Sequence, residues 1–257
     1  MKVIIIHLDG TLLNSQKIIS DLDLKILKQC RDTGIKMCIC SGRHIDDILP
    51  YSEMIGIDTG EYIISCDGCY IHNHKGNVLW KSEFLNAVDL KKIAKLSDKK
   101  RFSFFDKKND YLYTGNIYYF LKGIVSKIIK QEKINIVRLI SDNVIDVEKV
   151  VVRNCNNIND LSNIYTVHKL NDGAIEILNK QTNKYTAIKK IIEYLELDEN
   201  EVIYFGDDMN DYECFCNLSN CIAMGNAINI LKEHACYITD NNDNSGVGKA
   251  IKHFNII

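Results

Sequence analysis

Apolar and polar positions follow two regimes along the chain. In the first, short continuous apolar runs alternate with stretches of period 3.6. The run at residues 2–8 predicts a strand buried on both faces of a parallel sheet. A helix is expected from about Ser20 to Thr33, with Leu22, Ile26 and Leu27 on one side and Gly34 closing it. Ile35–Cys40 predicts a second buried strand that ends in Ser41-Gly42-Arg43. A helix at Ile45–Met54 and a third strand at Tyr62–Ser65 follow. Cys69–Ile71 and Val78–Lys81 read as a hairpin around Lys75-Gly76-Asn77.

The pattern changes from Phe84 to Leu170. Helices are predicted at Ala87–Leu96 and Ile117–Gln131, with strands rich in Tyr, Phe and Val at Phe102–Phe105, Tyr111–Tyr113 and Val147–Val152. These form an α+β insert with its own small core. The first regime then returns with a strand at Ala174–Leu178 and a helix at Asn183–Leu195, whose Ile188, Ile191, Ile192 and Leu195 share a face. Val202–Phe205 predicts a strand ending in Gly206-Asp207-Asp208. The strand Cys221–Met224, a short helix near Ala227–Lys232 and a last strand around Tyr237–Thr239 complete the chain. Strand–helix alternation interrupted once implies a doubly wound, Rossmann-like α/β core over residues 1–83 and 171–257, with an inserted α+β domain over 84–170.

Composition changes this picture little. The 257 residues suffice for one large domain or two modest ones. A net charge of -2 gives no global basic field for nucleic acid or an anionic membrane, although a local patch is enough for a small anion. The leading apolar run, Val3–Ile6, is too short for a signal-peptide core, and no stretch of about 18 apolar residues occurs, so no membrane span is expected. The ten cysteines sit mostly in apolar runs, as in Cys38 and Cys40. They read as reduced packing residues of a cytoplasmic protein. No segment marks a protein partner.

Ligands of an open α/β sheet bind beyond the carboxyl ends of its strands. The residues there are His7-Leu8-Asp9-Gly10-Thr11 after the first strand and Ser41-Gly42-Arg43 after the second. Lys184 opens the late helix, and Gly206-Asp207-Asp208-Met209-Asn210-Asp211 follow a later strand. Phosphoryl transfer calls for this set. Mg²⁺ takes oxygen ligands, mostly carboxylate, and Asp207 supplies one. Ser41 and Gly42 offer a hydroxyl and bare N–H groups for phosphate oxygens. Lys184 balances charge. Asp9, two residues past position 7, emerges on the same side if the strand persists, where an acid/base is needed.

The set resembles the haloacid-dehalogenase (HAD) superfamily. His7–Leu13 (HLDGTLL) looks like the DxDGTLL opening, Ser41-Gly42-Arg43 like the second motif, Lys184 like the third and Gly206–Asp211 (GDDMND) like the GDxxND fourth. Thr239–Gly246 is similar to the closing loop, and the insert resembles the α/β cap of the Cof-type sugar-phosphatase branch. The resemblance implies Mg²⁺-dependent hydrolysis of a small phosphorylated metabolite such as a sugar phosphate, with the cap closing to exclude water. It assigns Asp9 as general acid/base and, through its main-chain carbonyl, metal ligand. Asp207 and Asp211 go to the metal, Ser41, Gly42 and Asn210 to phosphate, and Lys184 to orienting the nucleophile. Asp67 stands where Asn is usual, and Cys69 where Ala is common.

Position 7 departs most. The resemblance calls for an aspartate that attacks phosphorus and ligates Mg²⁺; this chain has His7. Three readings follow: a one-base substitution of aspartate, a binder of phosphorylated ligands without turnover, or a histidine that itself accepts phosphate or binds a transition metal. A phosphomutase or other phosphotransferase is a further alternative, separated by whether free phosphate is released.

Other features have plain readings. Cys66-x-x-Cys69 lacks a second pair and reads as structural, and His72-x-His74 as a hairpin edge. Lys99-Lys100-Arg101 and Lys107-Lys108 read as a solvated face or as charges that greet an anionic substrate.

Overall fold

The computed structural model describes residues 1–96, 101–106, 109–130, 133–144, 146–153, 158–170 and 173–257. The chain divides into two compact units, Met1–Ser82 with Asn183–Ile257, and Glu83–Thr182.

The first unit is built on an eight-stranded sheet. Its spatial order is Tyr237–Ile238, Cys221–Ala223, Val202–Gly206, Val3–Ile6, Lys36–Cys40, Tyr62–Ser65, Tyr70–Asn73, Val78–Lys81. The first six run parallel, and the last two turn back as an antiparallel hairpin. Val3–Ile6 is buried throughout and lies between Val202–Gly206 and Lys36–Cys40. The chain winds outward from it on one side and later on the other, which opens a crevice at its carboxyl end.

Helices pack in two groups: Asp21–Asp32 with Ile45–Ile55 and Gly246–His253, and Lys184–Tyr194 with Tyr212–Asn217 and, through it, Asn229–His234. Local chemistry fixes their ends. Ser20 caps the first helix by accepting the Asp23 N–H. Asn183 caps Lys184–Tyr194 by accepting the Thr186 N–H at 2.8 Å, so Lys184 is the first helical residue and starts beside the crevice.

The second unit carries a six-stranded sheet, ordered Thr166–Lys169, Ala174–Leu178, Val147–Arg153, Arg101–Asp106, Asp110–Thr114, Asn135–Val137. Its pairings are antiparallel except for the last. Phe102 and Phe104, Val150 and Val152, and Ile175 and Ile177 alternate onto one face. There they join Leu90 and Ile93 of the helix Ala87–Leu96 in a separate core.

One expectation is corrected. Ala174–Leu178 reads in sequence as a strand of the parallel core, with the insert ending at Leu170. The structure pairs it antiparallel with both Thr166–Lys169 and Val147–Arg153, so the second unit runs to Thr182. A strand buried on both faces gives the same apolar run in either sheet. Lys99, Lys100, Lys107 and Lys108 lie outside the described residues. Among the described residues no helix is long and apolar enough to cross a membrane.

Candidate active site

At the carboxyl end of Val3–Ile6 the strand ladder continues for one more bond, His7 N–H to Phe205 O at 3.0 Å. The backbone then turns through Gly10, which has φ 73°. A Cβ at Gly10 would fall 2.0 Å from Asp207 Oδ2, so this turn requires glycine for both conformation and space. His7 and Asp9 both precede this turn and take different partners, His7 the Asp207 and Asp211 carboxylates and Asp9 the Arg43 and Lys17 cations.

His7 is buried, and its Nδ1 faces two carboxylates: Asp211 Oδ2 at 3.1 Å and Asp207 Oδ1 at 3.2 Å. Burial disfavours the imidazolium. The Asp211 charge and the hydrogen bonds with Asp207 and Asp211 outweigh that and the opposing Lys184, and the pKa is pushed up to about 9. At neutral pH His7 therefore carries its proton between the two acids.

Asp211 is the most heavily bonded group of the site. Its Oδ1 accepts from Lys184 Nζ and from the Tyr204 hydroxyl, each at 2.6 Å. Its Oδ2 accepts from the backbone N–H of Asp207 at 2.8 Å and of Asp208 at 3.2 Å. Burial raises its carboxyl, but the His7 and Lys184 charges and hydrogen bonds hold it well below the usual range. Lys184 is fully buried, and the Asp211 charge keeps its pKa above the ordinary value against desolvation. Asp207 is fixed by Thr11, whose hydroxyl donates to Asp207 Oδ1 at 2.7 Å.

The structure brings His7, Asp207, Asp211 and Lys184 together and sends the Asp9 side chain elsewhere. Arg43 grips Asp9 with Nε and Nη2 at 2.6 Å each, and Lys17 Nζ adds a third contact at 2.6 Å. Burial pushes the Asp9 carboxyl up, but these hydrogen bonds dominate and hold it well below the usual carboxylate range. Asp9 is thus presented as an ionised base rather than an acid.

The predicted phosphate binders cluster about Asp67. The Asn210 Nδ2 donates to Asp67 Oδ1 at 2.8 Å, and a Cβ on Gly42 would come 2.6 Å from Asp67 Oδ2. Asp67 is buried with φ 55°, and its N–H donates to Ser41 O at 3.1 Å. The Asn210 Oδ1 is buried with no hydrogen-bond partner among the described residues. The buried Ser41 hydroxyl accepts the Arg43 N–H at 3.2 Å. A carboxylate therefore occupies the side of the site where the sequence reading places a phosphate anion.

Thr11, Lys17 and Tyr204 carry no individual signal in the sequence and, with Arg43, are added by the structure. Arg43 follows Ser41-Gly42 directly, and a cation there is a usable signal. Tyr204 hides in an apolar strand, and only its hydroxyl betrays a polar partner. His72 is structural, with Nε2 at 2.8 Å from Ser65 Oγ and Nδ1 at 3.0 Å from Gly76 O. The described cysteines are free thiols.

The haloacid dehalogenase-like hydrolase family profile matches residues 4–251. The chain belongs to the haloacid dehalogenase-like hydrolases. It is a phosphoric monoester hydrolase by family, and the family is metal-dependent in general. Among curated relatives, the 5-amino-6-(5-phospho-D-ribitylamino)uracil phosphatase YcsE of Bacillus subtilis is 28% identical over 254 residues, covering 99% of this chain and 96% of its own. A second B. subtilis phosphatase of that name, YwtE, is 27% identical, covering 96% of both chains. Two solved HAD phosphatases, each 22% identical, share the fold across all of this chain. One, from Bacteroides thetaiotaomicron, has TM-score 0.82 over 96% of its length, and the other, a subclass IIB sugar phosphatase, has TM-score 0.79 over 100%.

The donor set of this HAD chain does not fit Mg²⁺. That ion takes oxygen ligands at about 2.1 Å in near-octahedral order. Here one corner is the ring nitrogen of His7, which faces both carboxylates.

Proposed function

We propose that this protein recognises a small phosphorylated metabolite in a HAD phosphatase site and holds it with hydrolysis strongly slowed, because His7 replaces the aspartate of the aspartyl-phosphate route. The observation that carries this reading is the placement of His7. Its Nδ1 is engaged by Asp207 and Asp211 at 3.2 and 3.1 Å, so position 7 offers no carboxylate to attack phosphorus.

The surroundings support phosphate chemistry. Lys184 is buried beside Asp211 and supplies positive charge at the end of the central strand. Gly42 and Asn210, the expected phosphate binders, lie together against Asp67, whose carboxylate a bound phosphate has to displace or find protonated. The resemblance gives Asp9 the acid/base role, and to take a proton from an attacking water its carboxylate has to be released from the Arg43 and Lys17 cations that hold it here. We assign Mg²⁺ dependence to the site with aspartate at position 7, where the metal-facing donors are all oxygens. A cytoplasmic setting suits the free thiols.

The relatives' names support a small phosphorylated metabolite as the substrate class. A phosphorylated ribitylamino-pyrimidine and sugar phosphates are the first esters to try. The test is a parallel screen of phosphate release and ligand binding, using this chain and its His7→Asp variant. Release by the variant alone, with binding by both, supports the reading. Binding by both and release by neither favours a dedicated ligand-binding protein. Absence of binding by either overturns the proposal.

A further inference from the structure

The mismatch with Mg²⁺ points to a different ion. We propose that His7, Asp207 and Asp211 form a binding site for a borderline divalent transition cation, with Zn²⁺ and Co²⁺ the best matched, in place of Mg²⁺. This holds whether or not a phosphate ester is hydrolysed.

Spacing comes first. The His7 Nδ1 lies 3.1 Å from Asp211 Oδ2 and 3.2 Å from Asp207 Oδ1, and one donor atom from each of the three residues falls within 4.8 Å of the others. Donors about 2.1 Å from one zinc ion stand about 3.0 Å apart at octahedral angles and about 3.4 Å apart at tetrahedral angles. The two separations to nitrogen fall between these values. His7 Nδ1 and either carboxylate thus already stand at the spacing of two ligands of one ion, and the third donor is close enough to be brought in by side-chain adjustment.

The kind of donor comes second. One imidazole and two carboxylates make a mixed nitrogen and oxygen set, which favours the later first-row ions over a hard ion such as Mg²⁺. Three protein donors leave at least one position for water or for an oxygen of a bound phosphate, the arrangement of an open rather than a closed zinc site.

The support around the ligands comes third. Asp211 Oδ2 is held by the Asp207 and Asp208 N–H groups, while Lys184 and Tyr204 hold Oδ1. Asp207 Oδ1 is held by the Thr11 hydroxyl at 2.7 Å. Outer contacts of this kind orient ligands before the ion arrives. Gly10 and Gly206 leave room for them, since a Cβ at either would press on the Asp207 or Asp211 carboxylate at 2.0 and 2.5 Å.

The experiment uses the full chain, stripped with a chelator and dialysed. Co²⁺ is titrated while the visible d–d absorption is followed, and Zn²⁺ and Mg²⁺ are titrated by calorimetry. The same is done for His7→Asn and His7→Asp, each checked for fold by circular dichroism. One equivalent of Zn²⁺ or Co²⁺ should bind at least about tenfold more tightly than Mg²⁺. His7→Asn should lose at least about tenfold in Zn²⁺ affinity and the Co²⁺ spectrum with it, while His7→Asp should move the preference toward Mg²⁺. Zn²⁺ binding that is equal in all three proteins belongs to surface thiols and overturns the proposal, as does Mg²⁺ binding by the unaltered chain as tight as that of Zn²⁺. If one variant misfolds, the other still decides, because each changes the nitrogen donor.

Discussion

Replacing His7 by Asn should remove a pH-dependent part of the stability, and its size follows from the site. The folded-state pKa of His7 is raised from the ordinary 6.5 to about 9, and the ring is fully buried between Asp207 and Asp211. One pKa unit corresponds to about 1.4 kcal/mol, so the proton held there contributes roughly 3 kcal/mol. Because the pKa is raised, this stabilisation is complete below pH 6.5 and is lost as pH climbs through about 9. Asn keeps a neutral donor in the same space but carries no charge. The unaltered chain should therefore exceed His7→Asn by roughly 3 kcal/mol at pH 6, or about 6–12 °C in Tm for a chain of this size, and the gap should narrow toward pH 9.5. Buried thiols also destabilise the fold at high pH, but they are common to both proteins and cancel in the difference. Thermal melts with a chelator at closely spaced pH values measure the gap. A gap that stays constant from pH 6 to 9.5 would refute the reasoning.

Lys184→Met should destabilise by about 3 kcal/mol in urea unfolding, since it removes one of the two cations, Lys184 and His7, that face the buried Asp211 carboxylate; an unchanged midpoint would contradict this. Gly10→Ala, tested in the His7→Asp background, should cut phosphate release roughly a hundredfold by displacing Asp207. Release at the parent rate would show that the turn tolerates a side chain. Arg43→Ala should return the Asp9 carboxyl upward toward its ordinary value, because the bidentate bond is the main influence holding it down. Carbon-detected NMR titration of the carboxyl reads this directly, and no movement would mean that Lys17 alone suffices.

Much of this was legible in the sequence because strand ends carry it. The buried runs at residues 2–8, Ile35–Cys40 and Val202–Phe205 mark the strands, and the polar residues just beyond them meet in space as Asp207, Asp211, Lys184 and position 7. Side-chain direction was not legible. Asp9 lies two residues from His7, but its partners are Arg43 and Lys17 rather than the carboxylates that face His7. Asp67 registered only as a departure from a pattern, while the structure sets its carboxylate against Gly42 and Asn210. The apolar run Ala174–Leu178 marks a strand but not its sheet, and the structure pairs it in the second unit. Its Glu176, paired with Lys149 at 2.8 Å, was the one polar sign that it is not a central parallel strand.

The central claim is that one residue separates this site from a working aspartyl-phosphatase. Single-turnover phosphate release with Mg²⁺ tests it most directly, using the best-binding ester and comparing this chain with His7→Asp. The variant should release phosphate at least about a thousandfold faster. Equal rates in the two proteins would contradict the account, and would place the chemistry on a group other than residue 7.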